Sequence, residues 1–219
     1  YRDGAYCLGL GMTAREQLLS FLAKAADPNS GGRQMPQHYG HKDLRIVSQS
    51  SPTGTQFLQA VGCAMVCKME KTKEVVYVSA GEGTTSQGDF HEALNWASNA
   101  KAPVIFHIQD NEYAISTHRS EQTASSIYDI TSGYGNLSRY DVDGTDFFET
   151  SLAFKEAVQR ARRDKGPSII VSHVVRLLPH SSSDDQRKYR DEKALNNDLK
   201  KDPLLILESK CIDAKFIKS

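Results

Sequence analysis

Glu74-Val75-Val76-Tyr77-Val78-Ser79, followed by Gly81-Glu82-Gly83-Thr84-Thr85-Ser86-Gln87-Gly88 and then Asp89-Phe90-His91-Glu92-Ala93-Leu94-Asn95-Trp96-Ala97, is the stretch that decides the fold. The first run is β-branched and aromatic, the composition of a buried strand. The last has helical spacing, and the glycine-bearing turn between them is polar. A second strand-like run, Pro103 to Ile108, delivers Asn111-Glu112-Tyr113-Ala114-Ile115-Ser116. Both polar clusters therefore lie past the carboxyl ends of strands, where open α/β sheets bind their ligands.

The same alternation continues outward. A helix over Gln56 to Lys68 precedes the first strand, and a third strand near Leu137 to Val142 follows. A helix from about Phe147 to Asp164 and a fourth strand from Ser168 to Val174 come after it. This order predicts an α/β fold with a doubly wound, mostly parallel sheet flanked by helices, its crossovers right-handed and its strand ends on one edge. Upstream, Thr13 and Glu16 form a capping-box pattern opening a helix to about Ala26. Asp27-Pro28-Asn29-Ser30-Gly31-Gly32 stops that helix, and an irregular segment runs on to Ser51. Residues 1–178 are expected to form one α/β domain, 179–190 a polar loop bordering the site, and 191–219 a lysine-rich helical extension without an assigned role.

Composition narrows the function. The 219 residues carry 27 basic and 27 acidic side chains, so there is no electrostatic case for nucleic acid or an acidic membrane surface. No stretch approaches the ~18 apolar residues of a membrane span. Cys7, Cys63, Cys67 and Cys211 form neither a disulfide framework nor a zinc pattern; Cys63 and Cys67, four apart in a helical run, are expected to pack side by side in a reducing compartment. No targeting peptide is visible, and the opening at Tyr1-Arg2 reads as the middle of a longer polypeptide.

The two polar clusters read as a magnesium-diphosphate site. Mg²⁺ takes oxygen ligands, commonly one or two carboxylates plus substrate phosphates. Glu82 offers a carboxylate, Asn111 an amide oxygen, and the turn at Tyr113 a backbone carbonyl, while Gly81 and Gly83 let the backbone approach a ligand closely. A Walker loop would need Lys where Asp89 stands, and a dinucleotide fingerprint would need Gly at Ser86. A lone Gly-Glu-Gly after a strand is also what a plain tight turn looks like. Its pairing with Asn111, with 27 residues between Gly83 and Asn111, favours the metal reading.

That pair resembles the thiamine-diphosphate motif, Gly-Asp-Gly followed by Asn. Gly32-Arg33-Gln34-Met35-Pro36-Gln37-His38-Tyr39-Gly40, Ser50-Ser51-Pro52-Thr53-Gly54-Thr55-Gln56, Ala114-Ile115-Ser116-Thr117 and His180-Ser181-Ser182-Ser183-Asp184-Asp185 extend the match in one order. Together they resemble the α subunit of the decarboxylating first component of 2-oxo acid dehydrogenase complexes, best the branched-chain type, which can carry Glu at the position of Glu82. The resemblance runs from Tyr1 to about Arg190. It implies a thiamine-diphosphate-binding fold, and oxidative decarboxylation of a 2-oxo acid with acyl transfer to a lipoyl carrier. Pyruvate or acetoin specificity stays open, as does a non-catalytic assembly subunit keeping the fold.

The resemblance also assigns residues. Tyr1, Arg2 and Arg176 correspond to positions that contact the diphosphate or brace its loop, and Ser51 and Thr53 to the aminopyrimidine side. Gly81, Gly83, Thr84 and Asn111 line the diphosphate, with Mg²⁺ on Glu82, Asn111 and Tyr113. Ser50, Pro52, Thr55 and Gln56 match a potassium site, although a helix start with Pro and Thr needs no ion. His180 corresponds to a histidine that reaches the diphosphate and helps the acyl group pass to the lipoyl arm, a task suited to imidazole, and Ser181 to a phosphorylated serine. His38 and His91 read as packed or hydrogen-bonded histidines and His107 as a satisfied core histidine. Two departures stand out: Gln109 replaces an arginine that contacts phosphate, and Glu112 adds negative charge. The activating glutamate of the family belongs to a β subunit, so an α₂β₂ assembly and a lipoyl acyltransferase core are the implied partners. The implied compartment is a bacterial cytoplasm or a mitochondrial matrix.

Overall fold

The computed structural model describes residues 2–48 and 51–217. It forms two compact units, Tyr1–Gln56 and Phe57–Ser219.

In the first unit, helix α1 (Gly4–Gly9) and helix α2 (Ala14–Phe21) precede irregular chain. The capping box is present: Thr13 N–H donates to Glu16 Oε2 at 2.7 Å, and Glu16 N–H to Thr13 Oγ1 at 3.2 Å. Helix α2 ends at Phe21 rather than near Ala26, because Ala23 adopts the left-handed φ of 48°, which no helix interior accepts. The buried Asp27 carboxylate then organises the next turn by accepting from Asn29 N–H, Ser30 N–H and Gly32 N–H at 3.0, 3.1 and 3.2 Å. A small core of Cys7, Met12 and Tyr39, packed by Leu44 and Ile46, completes the unit.

In the second unit, helix α3 (Thr55–Met69, from Phe57 on) leads to strand β1 (Val76–Gly81), a 3₁₀ turn (Glu82–Ser86), helix α4 (Gly88–Ala100) and strand β2 (Val104–Asp110). A short hairpin, β3 (Tyr113–Ala114) and β4 (Thr117–His118), is followed by α5 (Ile127–Ile130), β5 (Ser138–Asp143), α6 (Phe147–Arg162) and β6 (Ser168–His173). Helices α7 (Glu192–Leu199) and α8 (Pro203–Asp213) close the described chain. The four long strands pair in parallel in the order β1-β2-β6-β5, so the expected mostly parallel sheet is what forms.

Alternation along the strands explains why both faces are covered. Val78 and Ala80, Val104, Phe106 and Ile108, and Ile169 and Val171 face α3 and α4, where Phe57, Phe90 and Phe106 stack with centroids 5.2 and 6.1 Å apart. Ile105, Ile170 and Val142 point the other way and meet Ala153 and Ala157 of α6. Small residues on α6 let it lie close to the sheet. Asp146 caps it, accepting from Phe148 N–H at 2.9 Å. On this face His107 bonds Tyr77 Oη at 2.9 Å and Ser172 Oγ at 3.0 Å, a core histidine with both ring nitrogens occupied. All four cysteines are free. Among the described residues no helix is long and apolar enough to cross a membrane.

Candidate cofactor and metal site

The parallel register sets Gly81 opposite Gln109, so Glu82 and Asn111 leave adjacent strand ends together. Glu82 is only 2% exposed. Its Oε2 accepts from Asn111 N–H at 3.3 Å, and its Oε1 is buried with no hydrogen-bond partner among the described residues. Burial pushes this carboxyl above the ordinary range, with the neighbouring Asp110 adding to the rise and Asn111 N–H and Arg119 opposing it. Asn111 is buried as well, and its Oδ1 accepts from Tyr113 N–H at 3.3 Å. A buried carboxylate that has a bare oxygen is costly by itself. Beside an amide oxygen it is a fitting oxygen donor set for a hard cation. Among the described residues no group of three or more His, Cys, Asp and Glu is arranged for a metal; an ion here would draw on amide and backbone oxygens.

The glycine turn packs against the Tyr113 hairpin. A Cβ on Gly83 would lie 2.4 Å from Ala114 Cβ, so only glycine allows this approach. Gly81, just before the turn, has an extended backbone at φ −79°, ψ 163°. Thr84 lies half-buried in the same 3₁₀ turn.

Asp110 belongs to this site although sequence reading passed over it. It is 1% exposed, is ion-paired with Arg119, and accepts from Glu112 N–H at 2.9 Å. Arg119 also lies 3.7 Å from Glu112. The charge that Glu112 adds is therefore faced by a cation, and Glu112 itself adopts the left-handed φ of 68°. His173 bridges Asp141 at 2.7 Å and approaches Asp110 at 3.8 Å. The bond from Arg119 N–H to Glu112 O at 2.8 Å closes the turn that brings these groups together; composition carries no signal for it.

Arg176 leads from the sheet into the serine-rich loop. Its guanidinium is buried and donates to Ile115 O at 2.8 Å and to Tyr189 Oη at 2.6 Å. Tyr189 O–H in turn donates to Asp184 Oδ2 at 2.6 Å, and that oxygen also accepts His180 N–H at 2.8 Å. The tyrosine bond, then the His180 amide, hold the Asp184 carboxyl below the usual range. Ser181 is exposed, its Oγ 3.1 Å from Ser183 Oγ.

The remaining assigned residues lie in the first unit. Arg2 takes the left-handed φ of 51°, and Ser51 Oγ stands 3.2 Å from His38 Nε2. Thr55 Oγ1 donates to Pro52 O at 3.0 Å and Gln56 Oε1 accepts Gly54 N–H at 3.0 Å, bonds that open helix α3; Thr53 lies just before it, exposed. Tyr1 and Ser50 lie outside the described residues. His91 bonds Tyr134 Oη at 3.2 Å.

Residues 1–218 match the family described as dehydrogenase E1 component. The 2-oxoisovalerate dehydrogenase subunit alpha of Bacillus subtilis is 48% identical over 210 residues, 95% of this chain and 63% of that protein. The human mitochondrial protein of the same name is 42% identical over 197 residues, 90% of this chain and 42% of that one. The chain thus spans less than two thirds of the length of these relatives. A transketolase from Campylobacter jejuni superposes at a TM-score of 0.50, with 20% identity, over 57% of this chain and 20% of its own, a likeness of fold. With a matching family over nearly its whole length and a buried acid–amide pair at adjacent strand ends, this chain belongs to the dehydrogenase E1 component family.

Proposed function

We propose that this chain is the cofactor-binding part of a thiamine-diphosphate-dependent α subunit that decarboxylates a branched-chain 2-oxo acid and passes the acyl group to a lipoyl carrier. One observation carries the proposal: the buried Glu82 carboxylate, with Oε1 bare, beside the buried amide of Asn111. Mg²⁺ would sit on Glu82, Asn111 and the Tyr113 carbonyl. Arg176 would meet the diphosphate with Gly81, Gly83 and Thr84; the assignments of Tyr1, Arg2, Ser51 and Thr53 rest on the resemblance alone. Bound thiamine diphosphate supplies a carbon nucleophile and an electron sink for loss of CO₂. The chain's own part is to neutralise and hold the diphosphate, keep the pocket dry, and present His180 to move a proton as the acyl group leaves.

The relatives named 2-oxoisovalerate dehydrogenase subunit alpha support the branched-chain specificity. A β partner completing an α₂β₂ assembly, and a lipoyl acyltransferase core, follow from the same reading, as does a bacterial cytoplasm or mitochondrial matrix as the compartment. A potassium ion on Ser50, Pro52, Thr55 and Gln56 rests on resemblance alone, since the helix-start bonds there need no ion. Calorimetric titration with Mg²⁺ and thiamine diphosphate, with the β partner present, tests the proposal. Glu82→Ala and Asn111→Ala should abolish binding while the fold persists, and wild-type affinity in both variants would overturn the site. A panel of 2-oxoisovalerate, pyruvate and acetoin on the assembled enzyme separates the substrates.

A further inference from the structure

Helix α7 lies beyond the α/β sheet, and nothing in the proposed chemistry uses it. One of its residues nevertheless reaches into the loop. Arg190, whose side chain is 4% exposed, is ion-paired with Asp198 of α7. The same guanidinium donates to Arg176 O and to Gln186 Oε1, both at 3.1 Å, and lies 5.1 Å over the Tyr113 ring. Asp198 is the one carboxylate that meets this buried cation among the described residues.

We propose that Asp198 is a positioning residue: by neutralising Arg190 it holds the 176–190 loop, and with it the Tyr113 turn, in the arrangement that the candidate site requires. The physical reason is desolvation. Stripping a guanidinium of water is costly unless hydrogen bonds and a facing carboxylate compensate it, and removing one partner of a buried pair leaves an uncompensated charge. Without Asp198, Arg190 moves toward water and lets go of Arg176 O and Gln186 at once. Gln186 opens the short 3₁₀ turn Gln186–Lys188, and Arg176 carries the Tyr189–Asp184–His180 chain of bonds. A single carboxylate on an outlying helix thus sets the order of the loop from two ends. The consequence for cofactor binding rests on the function proposed above; the consequence for loop order does not.

Trypsin reads loop order directly, because Arg187 and Lys188 are cleavage sites within it and the Arg187 side chain is 80% exposed. The purified protein is digested as isolated and as Asp198→Asn, Asp198→Glu, the apolar pair Arg190→Met/Asp198→Leu, and Asn196→Ala, which changes α7 away from the ion pair. Asp198→Asn should speed cutting after Arg187 and Lys188 by at least about tenfold, since cleavage follows the open population. Asp198→Glu should recover part of the protection. The apolar pair should come within about threefold of the parent, because it removes the buried charge together with its partner. Asn196→Ala should be cut like the parent. The affinity for Mg²⁺ and thiamine diphosphate, measured on the same proteins with the β partner present, should weaken with Asp198→Asn and return with the apolar pair. Parental cutting in Asp198→Asn, or an apolar pair cut as fast as Asp198→Asn, overturns the proposal. Absence of cofactor binding by the parent would refute the proposed function instead, and the digestion would still decide the role of Asp198.

Discussion

Replacing Glu82 by Gln should make the cofactor-free protein more stable while removing its metal-dependent binding. The side chain is 2% exposed, one oxygen is bare, and burial raises its carboxyl pKa. An unsatisfied buried polar group costs about 1–3 kcal/mol, and more if charged. Gln keeps the size and the acceptor for Asn111 N–H but carries no charge, so a gain of about 1–2 kcal/mol is expected. At about 2–4 °C per kcal/mol for a domain of this size, Tm should rise by about 2–8 °C. The sign depends on pH. An acid whose folded pKa is raised stabilises the fold below its unfolded pKa, ordinarily about 4.3, and loses that contribution as pH rises through the folded value. The gain from Gln should therefore be small at pH 4 and grow towards pH 8. Thermal melts of both proteins across this range, without and with Mg²⁺ and thiamine diphosphate, make the assay. A lower Tm for Glu82→Gln at pH 8, or ligand stabilisation equal to that of the parent, would refute the reasoning.

Gly83→Ala forces a Cβ to 2.4 Å from Ala114 Cβ and should cost about 1–3 kcal/mol through overpacking, read as a lower denaturation midpoint together with weakened cofactor binding. Asp184, whose carboxyl is held low by Tyr189 and the His180 amide, contributes loop order above the usual carboxylate pKa of about 3.9. That order should be lost as pH falls through the folded value, so hydrogen exchange at residues 180–188 should stay slow at neutral pH and accelerate only below about pH 4. Ser181→Glu places a charge beside His180 and Asp184, as a phosphate of roughly −1.5 to −2 charges would, and should lower acyl transfer to the lipoyl carrier about tenfold or more. Ser181→Ala should stay near the parent, and equal rates for the two variants would remove Ser181 as a switch.

The sheet was legible because its inner strands are buried on both faces, so Val104 to Ile108 and Ser168 to Val171 read as near-continuous apolar runs. Glu82 and Asn111 were legible for a different reason: parallel pairing of consecutive strands brings the residues after each strand to one edge. The end of α2 was not, since the left-handed Ala23 has no signature in its residue type. Asp110 escaped notice because it becomes a site residue only when a turn nine residues long returns Arg119 to it. Arg190 escaped for the same reason. An arginine in a polar loop looks solvated until Asp198, on a helix eight residues later, buries it.

The most direct measurement is the position of the metal itself. Crystals of the protein grown with thiamine diphosphate and Mn²⁺ in place of Mg²⁺ would locate the ion by its anomalous signal. The expected peak lies about 2 Å from Glu82 Oε1, Asn111 Oδ1 and the Tyr113 carbonyl, with diphosphate oxygens completing an octahedral shell. A manganese peak held by other residues, or diphosphate bound while Glu82 Oε1 remains bare, would contradict the account.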